Sequence, residues 1–166
     1  VGGGAIASDA SPELRELADL TQIPVTQTLM GLGSFPMADP LSLDMLGMHG
    51  TYYANMAVHH ADCLVAVAAR FDDRVTGKVD AFSPNAEIIH IDIDPSSIAK
   101  NIKVDIPIVG DCKRVLRRLV EAVREELKDG VPPAVAEGRR QGAAQIAEWK
   151  RDFPLRYDWD DEVIKP

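Results

Sequence analysis

The sequence predicts an α/β domain built on a parallel sheet, and three observations carry that prediction. The apolar run Cys63–Ala69 is too continuous for a half-solvated strand and reads as a buried parallel strand, and Ala86–Ile93 is a second, mostly apolar strand. Stretches of helical periodicity separate the strand-like runs, with crossovers long enough for parallel pairing. Charge gathers just past the ends of those runs, at Arg70, Asp72, Asp73 and Arg74 and again at Asp92 and Asp94. Ligands of open α/β sheets sit at such strand ends.

Each element follows in order. Gly2 to Ala7 fits G-x-G-x-x-A, a turn that lets a backbone approach a pyrophosphate. Ser11 is the expected N-cap of the next helix, with Pro12 at its first position and Leu14, Leu17 and Leu20 on its apolar face. Ile23–Thr28 reads as a strand, with Pro24 tolerable near its start. It ends in Thr26-Gln27-Thr28, without the acid that a nicotinamide-binding unit places there for ribose. Leu29–Gly50 is read as a long connection rich in Gly and Pro, and such connections are usually functional. Its last part, Leu46-Gly47-Met48-His49-Gly50-Thr51, leads into a helix over Tyr52–His60 with Thr51 as N-cap.

The stretch Val65–Gly77, V-A-V-A-A-R-F-D-D-R-V-T-G, is the centre of the chain. Two arginines there suit an anionic ligand, and two aspartates can hold arginines in fixed orientation. Val79–Pro84 is a connector, and Ala86–Ile93 the next strand. Asp92 and Asp94 can accept from hydroxyls at its end, or cap a short helix beginning Asp94-Pro95-Ser96-Ser97. Ile106–Val109 is a last short strand. Gly110-Asp111 opens a long helix with Val115, Leu116, Leu119, Val120, Val123 and Leu127 at helical spacing. Gly130 and two prolines stop it. Ala134–Phe153 reads as a further helix that packs through Ala144, Ile146, Ala147 and Trp149, followed by an acidic linker to Pro166.

The whole is a Rossmann-like three-layer domain with a mostly parallel five- or six-stranded sheet and helices on both faces. Its 166 residues suit about one domain, expected over residues 1–129, with a C-terminal helix and linker over 130–166. The net charge of −8 argues against nucleic acid or an anionic membrane as main partner. No apolar run approaches a membrane span, and no signal peptide is visible. Cys63 and Cys112 are isolated and outside any metal-ligand spacing, which suits small core thiols in a reducing, cytoplasmic setting. Without an initiator Met, opening on Val1 and closing after Val163–Ile164, the chain is expected to be one domain of a longer protein.

Several of these segments carry a family resemblance. G-G-G at Gly2–Gly4, T-L-M-G-L-G at Thr28–Gly33, L-G-M-H-G-T at Leu46–Thr51, R-F-D-D-R-V-T-G at Arg70–Gly77, H-I-D-I-D-P at His90–Pro95 and G-D at Gly110–Asp111 resemble acetohydroxyacid synthase (acetolactate synthase). They occur in the same order over nearly all of the chain up to the long helix. The resemblance implies the middle, FAD-binding domain of the catalytic subunit. That enzyme uses thiamine diphosphate and Mg2+ to decarboxylate pyruvate and joins the product to pyruvate or 2-oxobutyrate, for branched-chain amino acids. Its FAD takes no net redox part in that reaction.

Further expectations follow from the same likeness. The thiamine and metal sites lie on flanking domains, so this piece alone is expected to be inactive. The full enzyme is expected to be a homo-oligomer with a small regulatory subunit. FAD contacts fall on Gly3, Thr28, Leu29, Leu46, Gly47, Met48 and His49, then on Ala68, Ala69, Arg70, Phe71 and Asp72, and lastly on Asp92, Ile93, Asp111 and Cys112. Met48, Asp73 and Arg74 face the substrate channel. Ala68 stands where the family commonly has Gly. The alternative is the nicotinamide- or FAD-binding domain of another enzyme, such as a different thiamine-dependent carboligase.

Overall fold

In the computed structural model, which describes residues 1–156, the chain forms five strands, all paired in parallel, with helices around them. The strands are β1 (Val25–Gln27), β2 (Ser42–Met45), β3 (Cys63–Val67), β4 (Glu87–Asp92) and β5 (Ile106–Val109). The helices are α1 (Gly4–Ala7), α2 (Ser11–Thr21), α3 (Tyr52–His59), α4 (Asp73–Thr76), α5 (Cys112–Glu126) and α6 (Pro133–Asp152). The α/β class is as expected. The acidic linker expected up to Pro166 lies, from 157 on, outside the described residues.

The single five- or six-stranded sheet is not what forms. Pairing gives two sheets, β1-β2 and β3-β4-β5. Backbone hydrogen bonds join them through Val1 and Gly2, and Val25 of β1 shares the main core with Val67 and Ile91. The Val1 nitrogen donates to Thr26 O (2.8 Å), Val1 O accepts from Thr28 N–H (2.9 Å), and Gly2 N–H donates to Val67 O (2.8 Å). β2 is the strand that sequence reading left inside a connection. It is short and broken by Asp44 at φ +60, which shifts its register with β1.

Alternation along β3 and β4 sorts side chains to two faces. Val65, Val67, Ile89 and Ile91 join the main core under α2 and α5, where Leu14, Ala18, Leu116 and Leu119 close over them. Leu64, Ala66 and Ile88 point the other way, onto Phe71, Phe82 and Ile102 from connecting segments. A third cluster seats Ile146 and Trp149 of α6 on Leu43 and Tyr53, whereas Ala144 and Ala147 stay exposed. Two caps move from their expected places. Ala10, not Ser11, precedes α2, and Asp94-Pro95-Ser96-Ser97 forms a turn instead of a helix. Thr51 and Asp111 cap as expected, accepting from Ala54 N–H (3.1 Å) and Arg114 N–H (3.1 Å).

His90 is fully buried on β4, its ring edge-on to Phe71, and neither ring nitrogen has a partner among the described residues. Burial lowers its pKa below the ordinary 6.5, partly offset by the backbone at Ala69 and by the Asp92 carboxylate. A depressed histidine pKa means the unfolded chain takes up the proton first. Stability should therefore fall as pH drops below about 6.5, levelling off beneath the native pKa. Thermal melts across that range, with wild type against His90→Leu, measure the effect. The variant should lose this component of the slope.

Candidate functional site

The functional side chains stand on loops at the carboxyl ends of the strands. The first loop follows β1. Thr28 Oγ1 accepts from Gly31 N–H (3.2 Å), tightening a 3-10 turn at Leu29–Gly31 that leaves Leu29 70% and Met30 77% exposed. This loop packs backbone against backbone on the glycine turn. A Cβ on Gly3 would lie 2.9 Å from Met30 O, and one on Gly31 2.5 Å from Val1 O. Glycine is required at both places by contact, not by dihedral angle. Gln27, fully buried, points its Oε1 at Gly33 N–H, Ser34 Oγ and Phe35 N–H (3.1, 3.2 and 3.1 Å) and so closes the loop at its far end.

The second loop leaves β3. Ala68 and Phe71 take positive φ, +48 and +54. Arg70 pairs with Asp72 at 2.9 Å, as the charge pattern led one to expect. Arg74 does not pair with Asp73. Asp73 Oδ1 instead accepts the Arg74 backbone N–H (2.9 Å) at the start of α4, and the guanidinium reaches Met48 Sδ (3.7 Å). A carboxylate one residue away is better placed for an orphan helix N–H than for the far end of an arginine. Asn101 Nδ2 donates to Arg70 O (3.0 Å) and Phe71 O (2.9 Å).

The third loop precedes α3. Gly47 has φ +94, and a Cβ there would run into the Arg74 carbonyl, so no other residue fits both constraints. Asn55 grips Gly47 from both sides: its Oδ1 accepts Gly47 N–H (2.8 Å) and its Nδ2 donates to Gly47 O (3.0 Å). Met48 N–H donates to Arg74 O (2.8 Å), which docks this loop on the second.

At the end of β4, Asp92 Oδ1 accepts from Asp94 N–H (2.9 Å). The Ser96 hydroxyl and N–H, with the Ser97 hydroxyl, hold the Asp94 carboxyl below its usual range. Burial raises the Cys112 thiol, which lies 2.8 Å from Ser8 Oγ beneath the glycine turn. That thiol is a packed neutral group.

These loops border two openings. A cleft of about 1860 Å³ runs from these loops along α2 and α6; its loop side is lined by the glycine turn, Thr28 and Leu29, Leu46, residues 68–72, Asp92, Ile93, Asp111 and Cys112. A smaller pocket of about 280 Å³ is lined by Leu46, Gly47, Met48, Asp73 and Arg74. Leu46 and Arg74 border both. His49 is exposed and lines neither. The loop side of the larger cleft has exposed apolar side chains (Leu29, Met30, Ile93), the arginines Arg70 and Arg74 and acceptor carboxylates around backbone turns. Such a donor set suits a dinucleotide with a flat ring system, a pyrophosphate and sugar hydroxyls. Gln27, Asn55 and Asn101 escaped sequence reading. Their partners lie up to 31 residues away, and an amide carries no charge pattern to betray it.

Residues 1–119 match the family model described as thiamine pyrophosphate enzyme, central domain. The chain is 45% identical to the acetolactate synthase isozyme 3 large subunit of Escherichia coli, covering all of this chain and 28% of that protein. It is 50% identical to the probable acetolactate synthase large subunit of Methanocaldococcus jannaschii, over 99% of this chain and 27% of that protein. It is 48% identical to acetolactate synthase 1, chloroplastic, of Zea mays, over 100% and 25% respectively. The chain thus spans about a quarter of the length of the curated relatives it matches.

Proposed function

The chain belongs to the thiamine pyrophosphate enzyme central-domain family, and from that premise we propose that it is the FAD-holding middle domain of an acetolactate synthase catalytic subunit. The full enzyme condenses two pyruvates, or pyruvate with 2-oxobutyrate, to acetohydroxyacids with release of CO2. Thiamine diphosphate and Mg2+ sit on flanking domains, which residues 130–166 lead toward, and residues 1–129 form the cofactor-holding body. The working assembly is a cytoplasmic homo-oligomer with a small regulatory subunit.

The observation that carries this reading is convergence. Segments scattered from Gly3 to Cys112 line one cleft, and the substrate-side residues Met48, Asp73 and Arg74 gather in the pocket beside it. In the cleft, Arg70 supplies charge for the pyrophosphate, Asp92 accepts from hydroxyls, and the exposed Leu29 and Ile93 offer apolar cover for the flavin. The flavin has no net redox role in this reaction. The chain's own residues bind it, exclude water and, through the shared Leu46 and Arg74, couple its cleft to the substrate pocket.

The test is the nucleotide released from purified full-length enzyme. A yellow protein that yields FAD by mass spectrometry is the expected result, and NAD(P) or no nucleotide overturns the reading. Asp92→Ala in the same enzyme should weaken FAD by about 1.5–3 kcal/mol, the worth of hydrogen bonds to a charged acceptor. Its melting temperature should fall less, since the fold loses only the Asp94 N–H contact. Flavin fluorescence titration and a thermal melt separate the two effects. A lower melt with unchanged affinity would make Asp92 a turn cap.

A further inference from the structure

We propose that three side-chain carboxamides, Gln27, Asn55 and Asn101, are the positioning residues of the ligand-binding loops, each holding one loop by a different hydrogen-bond polarity. The pattern is consistent across the three. Gln27 holds Gly33, at φ +96; Asn55 holds Gly47, at φ +94; Asn101 holds Phe71, at φ +54. At a positive φ the backbone turns out of any ladder, and its N–H or C=O loses its regular partner. A fourth such position beside the cleft, Ala68, needs no amide because its N–H donates to Ile91 O (2.7 Å).

The polarities differ and are fixed by the partners. Gln27 works as an acceptor only, with three donors converging on Oε1 and no partner for Nε2 among the described residues. Asn101 works as a donor only, to two carbonyls. Asn55 does both. A neutral amide suits the task, because it satisfies the backbone without adding charge beside an anionic ligand. The loops so held carry Thr28 and Leu29, Met48, and Arg70 and Asp72.

Replacing each amide by its isosteric acid therefore gives three different results. Gln27→Glu keeps its acceptor and removes an unpartnered donor. Asn55→Asp keeps one bond and sets an oxygen against Gly47 O. Asn101→Asp loses both bonds and faces two carbonyls. This ligand readout rests on the FAD reading above, so the experiment carries a second readout that does not. In the full-length enzyme, FAD affinity is measured by flavin fluorescence, and hydrogen exchange is followed at residues 28–35, 46–50 and 70–72.

Gln27→Glu should bind FAD within about twofold of wild type, and Gln27→Leu about tenfold more weakly. Asn55→Asp should lose roughly threefold to fivefold, and Asn101→Asp and Asn101→Leu about tenfold each. Only the loop belonging to the altered amide should exchange faster. Asn55 and Asn101 are exposed, so their variants test the idea even if Gln27→Leu fails to fold. Equal weakening by all three acids would mean that charge alone repels the ligand, and the proposal would be wrong. So would Asn101→Asp with wild-type affinity and exchange. If wild type holds no FAD, the functional reading fails, and the exchange pattern alone decides the proposal.

Discussion

Arg74→Ala in the full-length enzyme should slow acetolactate formation by about two orders of magnitude, since misplacing a reactant can cost that much. In the proposed reaction both substrates are 2-oxo acids, and a guanidinium matches a carboxylate with two parallel hydrogen bonds. Among the described residues no carboxylate neutralises the Arg74 head, which rests on the Met48 thioether. It is left with donors to spare. Arg74→Lys should recover little, because a point charge cannot reproduce the fork. Asp73→Asn should do far less harm than Arg74→Ala, because Asp73 holds only the Arg74 backbone and an amide oxygen can still accept there. Acetolactate formation, acetaldehyde release and bound FAD are compared in one preparation of each variant. FAD lost in step with activity would make Arg74 a cofactor ligand instead.

The second large effect belongs to Gly2→Ala. A methyl group there would press into the Ala68 carbonyl and lie 2.8 Å from Ala69 Cα, both backbone atoms with no side-chain freedom to give way. Gly2 also donates to Val67 O, so the clash opens the joint between the two sheets and pushes residues 68–70 out of the cleft. The stability loss should be on the order of 3 kcal/mol, in the range of substitutions that force backbone apart. FAD retention should fall with it. Melting temperature and flavin content of the full-length variant check both. An unchanged melt would mean that the turn yields freely.

What was legible in the sequence was local. Thr51 and Asp111 cap because a short polar side chain meets the helix N–H three residues on, and that relation is written in adjacent positions. The strand β3 announces itself as an unbroken apolar run, and β4 as a mostly apolar one. The strand β2 does not, since Asp44 interrupts it with a left-handed residue that no propensity favours. Among the candidate site residues, Gly3, Thr28, Arg70 and Asp92 line one cleft. Of the two aspartates expected to hold arginines, Asp73 does not, because nearness in sequence puts it beside the Arg74 backbone and not its guanidinium. Amide clamps such as Asn101 depend on where a turn 30 residues away comes to rest. No local rule reaches that far.

The division of the core also governs how the molecule yields to strain. β1 joins the large cluster through Val25, whereas α6 is seated on the small cluster of Leu43 and Tyr53 through Ile146 and Trp149. That small cluster is where local opening is expected first, without disturbing the main core. A cofactor lying across Thr28 beyond β1 and Asp92 at the end of β4 would tie the loops of both sheets together from outside. Its binding would then be felt as rigidity across the two.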